Sequence, residues 1–493
     1  MKALLIYPCY PDTFWSFKHA LWFVSKKAAF PPLGLLTVAS MLPDDWEKKV
    51  VDMNVSRLKD KQIEWADIVF ISAMIVQRDS AREVIERCKK KGVKVVAGGP
   101  LFSAEHEDFD GVDHFVLYEA EASLPRFLHD LENNQAASIY SSRRFHDLER
   151  TPMPQWDLIN LNKYNSMNIQ YSRGCPYHCE FCDIPELFGR KVRTKSTEQV
   201  IAELDAVHSR GYQGNVFFVD DNFIGNRRKL KREILPAIIE WQKEKARPFE
   251  FLTEASIDLS DDDELLHLMA SAGFTMVFIG IESPNEESLA ECGKNHNIKR
   301  DLMASVKKIQ EAGLQVTGGF IVGFDHDPPS IFDRMVSFIQ NSGIVTAMVG
   351  LLEAPKGTKL YQRLKQEGRL TSFFSGDNTN CSTNIIPKMG LANLISGYKE
   401  IISKLYSPGP YYKRVKEFLK GFKPKFRKSI NLRPYHIGAL IKSIIRLGLL
   451  GKERLHYWKL FFWAAFRRPS LFPMAITLAI YGRHFRIVFK KSI

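Results

Sequence analysis

The stretch Gly174-Cys175-Pro176-Tyr177-His178-Cys179-Glu180-Phe181-Cys182 places three cysteines in a C-x3-C-x2-C spacing on one short loop. Three thiolates that close together can hold three irons of a four-iron cluster and leave the fourth iron open to chelate a substrate. Zinc is the competing occupant. A structural zinc site is closed by four ligands, however, whereas here His178 lies inside the loop and no second Cys pair follows. The residues just before the motif, 168–172, read as a strand, which puts the loop at that strand's C-terminal end.

Further strands follow at 215–220, 250–254, 276–281, 315–321 and 347–351, each succeeded by a helical pattern. Six such units before residue 355 predict a partial (β/α)6 barrel with its working residues at the C-terminal strand ends. The second strand runs into Asp220-Asp221-Asn222, the third into Thr253-Glu254-Ala255-Ser256 and the fourth into Gly280-Ile281-Glu282-Ser283. A single strand-end acid ordinarily caps a helix or meets water. Several of them in register with the cysteine loop make an acidic ring at one barrel mouth. Gly318, Gly319 and Gly323 near the fifth strand let backbone approach closely.

Upstream, strands expected at 2–7, 49–53, 68–72, 93–97 and 114–117 alternate with helical stretches, the pattern of a doubly wound sheet over residues 1–135. Residues 136–163, with Pro152 and Pro154, read as a linker to a second domain at 164–390. Residues 391–493 form a helical, basic extension. From 411 onward there are 20 Lys and Arg against Glu417 and Glu453, a balance of +18; the remainder, 49 against 54, is −5, within a total of +13.

That asymmetry points to an anionic surface as the extension's partner. Trp458, Phe461, Phe462, Trp463, Phe466 and Phe472 lie among its basic residues, as in a segment seated at a lipid interface. The uncharged run 469–482 spans 14 residues, too short to cross a bilayer, and Pro473 is expected to interrupt it. Two rival readings remain: contact with RNA phosphates, which is disfavoured, and a solvated basic tail.

The chain has 493 residues, 45% of them hydrophobic, which excludes a disordered or fibrous protein. The opening apolar run ends at Pro8 and reads as a strand, not as a secretory signal. With only one tight cysteine cluster among seven cysteines, a reducing cytoplasm is expected, with peripheral attachment at the inner face of the membrane. Cys9, Cys88, Cys292 and Cys381 are too few and too scattered for a second cluster.

The cysteine loop after the first barrel strand resembles the signature of the radical S-adenosylmethionine superfamily. That resemblance implies one [4Fe-4S] cluster on Cys175, Cys179 and Cys182. It implies S-adenosylmethionine contacts at Phe181, Asp220, Asp221, Glu254, Ser256, Gly280 and Glu282. In that superfamily a doubly wound domain ahead of the barrel usually binds cobalamin, and residues 1–135 are similar to such a domain. Ser72-Ala73-Met74 and Gly98-Gly99-Pro100 resemble its corrin-embracing loops, so Ser72, Met74, Gly98, Gly99 and Glu119 are the expected contacts. Two departures stand out. The first loop, Pro8 to Trp15, lacks the D-x-H-x-x-G histidine, so cobalt's lower position would have no His ligand; and Tyr118-Glu119-Ala120-Glu121 replaces the usual Gly-Glu-Gly-Glu.

The strings CEFCDIPELFGR from Cys179 and FVDDNFIGN from Phe218 are similar to cobalamin-dependent radical methyltransferases of the hopanoid C-2 methylase type. The family's chemistry is methylation of an unactivated carbon, with two S-adenosylmethionine molecules used per turnover and no general base. A flavodoxin or ferredoxin is the implied electron donor, and a lipid or other hydrophobic small molecule the substrate. Two further readings remain: a cobalamin-using radical enzyme that rearranges or oxidises a small molecule, and a non-catalytic cluster- or cobalamin-binding module.

Overall fold

A computed structural model of the chain describes residues 1–371, 374–377, 379–425 and 434–492. The first sheet comprises β1 (Lys2–Tyr7), β2 (Glu47–Asp52), β3 (Ile68–Ser72), β4 (Lys94–Gly98), β5 (His114–Leu117) and β6 (Ile139–Ser141). Its order is β2-β1-β3-β4-β5-β6 and all neighbours are parallel. Helices cover both faces, so β1 is buried on both sides from Ala3 to Ile6. The order reverses between β1 and β3, where a doubly wound sheet opens a ligand crevice. The stretch read as a linker carries β6, a three-residue strand too short to leave a period in the sequence.

The second sheet takes β7 (Ser166–Ile169), β10 (Asn215–Phe218), β11 (Glu250–Ala255), β12 (Phe274–Glu282), β13 (Gln315–Val322) and β14 (Ala347–Leu351), parallel and in chain order. β7 and β14 are its two edges, so the barrel is open on one side. The expected strand at 168–172 is divided: β7 enters the barrel, while β8 (Ser172–Arg173) turns off to pair antiparallel with β9 (Arg193–Thr194). Side chains alternate along the strands. Val277, Ile279 and Ile281 of β12 are fully buried against the helices, whereas Met276, Phe278 and Gly280 face a half-open interior.

The open side is closed from outside the barrel. Ala28 bridges to Tyr164, the Asn168 amide donates to the Pro31 carbonyl at 3.2 Å, and the Phe30 ring meets Phe217 at 5.3 Å. The C-terminal extension braces this segment. Its helices Leu391–Tyr406, Pro408–Gly421, Pro434–Ser443, Arg454–Arg467 and Phe472–Ser492 share one core with the barrel and with Phe14, Ala20 and Phe23. Phe485 stacks on Phe14 at 4.2 Å. Arg414 is buried without a carboxylate, holding Gln340, Leu405 and Val345 beside the rings of Tyr406 and Tyr411.

The extension is therefore a folded lobe and not a loose tail. Pro473 does not interrupt the uncharged run: it sits in the first turn of Phe472–Ser492, where a missing N–H costs nothing. No helix among the described residues is long and apolar enough to cross a membrane.

Candidate active site at the barrel mouth

The cysteine loop begins with Gly174 at φ 93°, packed so tightly that a Cβ would lie 2.9 Å from the Gly189 and Lys191 carbonyl oxygens. Only glycine fits there. The Cys175 amide donates to the Gly189 carbonyl at 3.3 Å. Beyond it, Tyr177 stacks on His296 at 3.8 Å and donates to Asp258 at 2.7 Å, and Asp258 is in turn paired with Arg227. Glu180 receives a two-pronged contact from Arg363 at 2.8 and 3.1 Å. The loop is thus fixed at both ends and in its middle before any metal is considered.

Cys175, Cys179 and Cys182 are partly accessible, and burial raises the thiol pKa of each. Cys179 also raises Cys175, and both raise Cys182, as thiols near one another do. Metal must displace those thiol protons, so binding releases them. Among the described residues no three His, Cys, Asp or Glu side chains gather as closely as a single ion requires.

The strand-end acids divide into two groups. Asp220 is fully buried and accepts from the Tyr171 and Ser172 amides, and Asp221 accepts from the Gly174 amide at 2.8 Å. Both brace the cysteine loop, a use the sequence did not reveal. Burial pushes Asp220 up to about 7 and Asp221 up to about 6. Ser256 likewise ties β11 to β10, since its hydroxyl accepts from the Asn222 amide at 3.2 Å.

Glu254 differs. Its carboxylate has no hydrogen-bond partner among the described residues, and burial followed by repulsion from Asp221 and Asp220 pushes it up to about 7. A half-buried acid left open at the mouth suits a cationic or hydroxyl-bearing ligand. Glu282, at φ 63°, pairs with the Lys294 ammonium at 2.5 Å, and a Cβ at Gly280 would collide with both groups. Burial alone would lower Lys294, but the Glu282 carboxylate outweighs it and holds the ammonium charged, with Cys179 adding to the effect. Phe181 lies half-buried 6.3 Å from Phe324.

The first sheet presents its C-terminal edge to this mouth. Met74 is exposed beside the crevice, its sulfur 3.5 Å from the Tyr10 hydroxyl, which also bonds Tyr7. Ser72 and Gly99 touch: a Cβ on Gly99, at φ 90°, would lie 2.8 Å from the Ser72 hydroxyl, and one on Gly98 would lie 2.7 Å from the Val116 carbonyl. These glycines are required by neighbouring strands as well as by any ligand. Glu119, expected at the cobalamin crevice, is buried and held by Arg193 at 2.7 Å and Arg173 at 3.5 Å. With the Glu121–Arg173 pair at 2.7 Å, it fastens the first sheet to β8 and β9.

Lys294, Arg363, Tyr177 and Arg173 were missed in the sequence: Arg363, Tyr177 and Arg173 have partners 183, 81 and 52 residues away, which leaves no local pattern, and Lys294, 12 residues from Glu282, follows no helix or strand period that would link the two. Glu353, just beyond β14, was missed as well. It is buried, with one carboxylate oxygen accepting from Ser375 at 3.3 Å and the other without a partner among the described residues, and burial pushes it up to about 8. The same loop reaches the first sheet, where Arg78 donates to the Phe374 carbonyl at 2.8 Å.

Comparison with known proteins matches three family models: a B12 binding domain over residues 24–128, the radical SAM superfamily over 169–339, and a domain of unknown function, DUF4070, over 358–493. An uncharacterized methyltransferase of Synechocystis sp. is 42% identical over 98% of this chain and 91% of its own length. The hopanoid C-2 methylase of Rhodopseudomonas palustris is 33% identical over 93% of this chain and 88% of its own. Among solved structures, the cobalamin-dependent radical enzyme OxsB, with aqua-cobalamin and S-adenosylmethionine bound, shares the fold. Its TM-score is 0.63 at 16% identity, over 100% of this chain and 79% of that one. TsrM of Kitasatospora setae gives a TM-score of 0.59 at 16% identity over 76% and 77%. The pinned three-cysteine loop, the crevice facing it and these relatives place the chain in the cobalamin-dependent radical S-adenosylmethionine methyltransferase family, an enzyme of one [4Fe-4S] cluster, S-adenosylmethionine and cobalamin.

Proposed function

We propose that this enzyme methylates an unactivated carbon of a lipid, polycyclic or isoprenoid and hopanoid-like in class, at the inner face of the membrane. The observation that carries the reading is the lining of the barrel interior. Phe217, Leu252, Met276, Phe278, Ile321 and Met348 all face it, half-exposed on alternate strand positions. Trp15, from the first βα loop, joins them: its indole N–H meets the Met348 sulfur at 3.0 Å and its ring meets Phe278 at 5.3 Å. A chamber walled by large apolar side chains, with Glu254 and the Glu282–Lys294 pair at its mouth and Glu250 at the far end of β11, favours an apolar guest.

The cofactors together supply hydrogen abstraction from carbon and methyl delivery. The chain supplies position and dryness. Cys175, Cys179 and Cys182 hold the cluster; Glu254, Phe181 and the Glu282–Lys294 pair border the S-adenosylmethionine site; Ser72, Met74, Gly98 and Gly99 border the cobalamin crevice. Trp15 and Phe30 shut out water from the open side of the barrel. No side chain is required as a general base.

The outer surface supports a membrane source for the guest. On helices Pro434–Ser443 and Arg454–Arg467 and the turns between them, Ile437, Ile441, Ile445, Leu449, Leu450, Leu455, Phe462 and Phe466 are exposed, Leu450 by 70% and Phe466 by 80%. Arg446, Lys452, Arg454, Lys459 and Arg467 are exposed among them, and Glu453 is buried against Arg486. Trp22, half-exposed and covered by Lys442 and Arg446, continues this face onto the segment that closes the barrel. Apolar and cationic groups interleaved without an exposed acid suit an anionic bilayer surface.

The test is anaerobic reconstitution with cobalamin, followed by incubation with lipid extract and methyl-labelled S-adenosylmethionine. Label in a neutral, cyclised or isoprenoid lipid supports the proposal; label confined to RNA or to water-soluble products refutes it.

A further inference from the structure

A second surface, unrelated to the lipid face, lies directly over the cysteine loop. The helix Ile184–Phe188 starts two residues after Cys182, and Gly189 at its end accepts from the Cys175 amide. Against this turn sits Phe145, 47% exposed, so close that a Cβ on Gly189 would collide with its ring. Arg193 supports the ring from within, 5.0 Å from its centre, and is itself fixed by Glu119 and by the His146 and Phe188 carbonyls. A hollow of about 200 Å³ opens beside Phe145, lined by Tyr118, Arg143, Arg144 and Leu187 together with the acids Glu119 and Glu186.

The charge of this surface is mostly positive, Glu186 being an exposed acid without an ion pair among the described residues. Arg143, Arg144, Arg190 and Lys191 are exposed, and none has a carboxylate within 4 Å among the described residues. Arg143 rests on the Tyr118 ring at 5.6 Å. The nearby acids Asp147 and Glu149 are already matched by Arg150 and Lys229. Four unmatched cations around a firmly seated aromatic ring have the composition of a docking centre for an acidic protein. The family's cluster must be reduced by one electron, and no other part of the surface described above lies a single helical turn from two of its ligands.

We infer that Phe145, Arg143, Arg144, Arg190 and Lys191 form the docking site for a small acidic one-electron carrier protein. On docking, the reduced carrier gives up one electron and is oxidised by one unit, and the cluster gains that electron; no proton or atom is exchanged. The contact is expected to be small and salt-sensitive, as for transient redox encounters, with the charges setting the association rate more than the lifetime.

The experiment uses the full chain with its cluster and cobalamin, reduced flavodoxin as the probe, a reduced ferredoxin in a parallel arm, and dithionite as a reductant that needs no docking. The double variants R143E/R144E and R190E/K191E change only exposed, unmatched side chains, so folding and cluster content are retained. At low salt each is expected to slow cluster bleaching by the carrier roughly tenfold or more and to weaken carrier binding in a titration without turnover. Raising the salt should bring the parent down toward the variants, and dithionite should reduce all of them at one rate. Phe145→Ala should weaken binding with less change in salt dependence. Unchanged carrier rates and binding in both double variants would overturn the assignment, as would an equal slowing with dithionite.

Discussion

The C-terminal edges of the two parallel sheets face each other across one space, yet they are built in opposite ways. The barrel edge is crowded with fixed polar groups: Asp220, Asp221, Glu180, Asp258 and the Glu282–Lys294 pair each hold a particular atom of the cysteine loop or its surroundings. The edge of the first sheet offers Tyr10, Met74 and a pair of glycines, and its directed contacts, Asn54 to Pro8 and Tyr10 and Gln77 to Pro8 and Met74, hold its own loops in shape. Metal ligation and a small charged cofactor need side chains at fixed distances. A broad corrin needs a shaped floor more than directed side chains. The difference predicts that damage at the barrel edge is abrupt and damage at the other edge graded.

Cys179→Ala should be the most severe change: the cluster is lost, and with it all reductive cleavage of S-adenosylmethionine, read from visible absorbance and 5'-deoxyadenosine formation. Retention of a full cluster would break the comparison. Lys294→Met comes next. It strands the buried Glu282 carboxylate, which should cost about 3–5 kcal/mol in urea unfolding and weaken S-adenosylmethionine binding. A loss under about 1 kcal/mol would show the pair to be screened by solvent. Gly99→Ala tests the first edge at its tightest point. With φ at 90° and the Ser72 hydroxyl in the way, it should cost about 1–3 kcal/mol and lower cobalamin occupancy, leaving the cluster intact.

The acids of the barrel mouth give a pH signature. Asp220, Asp221 and Glu254 have pKa values raised to about 7, 6 and 7 in the folded chain. The folded state therefore holds protons that the unfolded chain has released, and their stabilising effect is present in acid and lost as pH rises through that range. The melting temperature of the metal-free protein should fall between about pH 5 and pH 8, and Asp220→Asn should flatten part of that slope. A rise over the same range would contradict the burial of these carboxyls. Met74→Ala should have the smallest effect, a few-fold loss in cobalamin affinity by equilibrium dialysis with no change in cluster content.

The same contrast explains what the sequence could disclose. The cysteine spacing is visible because ligands on one loop must lie close in the chain, and the strand–helix alternation is visible because each unit has its own period. The partners of that loop are not. Arg363 meets Glu180 across 183 residues, and Glu119, taken for a cobalamin contact, meets Arg193 across 74. Such pairs have no local pattern. Asp220 and Asp221 could be located at the mouth from sequence, but whether they face a ligand or the loop's own amides depends on a turn after β7 that no periodicity records. The extension's aromatic residues were read as one interfacial set. In the fold Trp458 and Trp463 pack partly inward while Ile437, Leu450 and Leu455, which have no special composition, share the outer face with Phe462 and Phe466.

The central claim, methylation of an unactivated lipid carbon, is tested most directly by product stoichiometry in a single anaerobic reaction with lipid extract. The account predicts one 5'-deoxyadenosine and one S-adenosylhomocysteine for every methyl group gained by the lipid. 5'-Deoxyadenosine accumulating without S-adenosylhomocysteine, or both forming while the lipid fraction stays unlabelled, would contradict it.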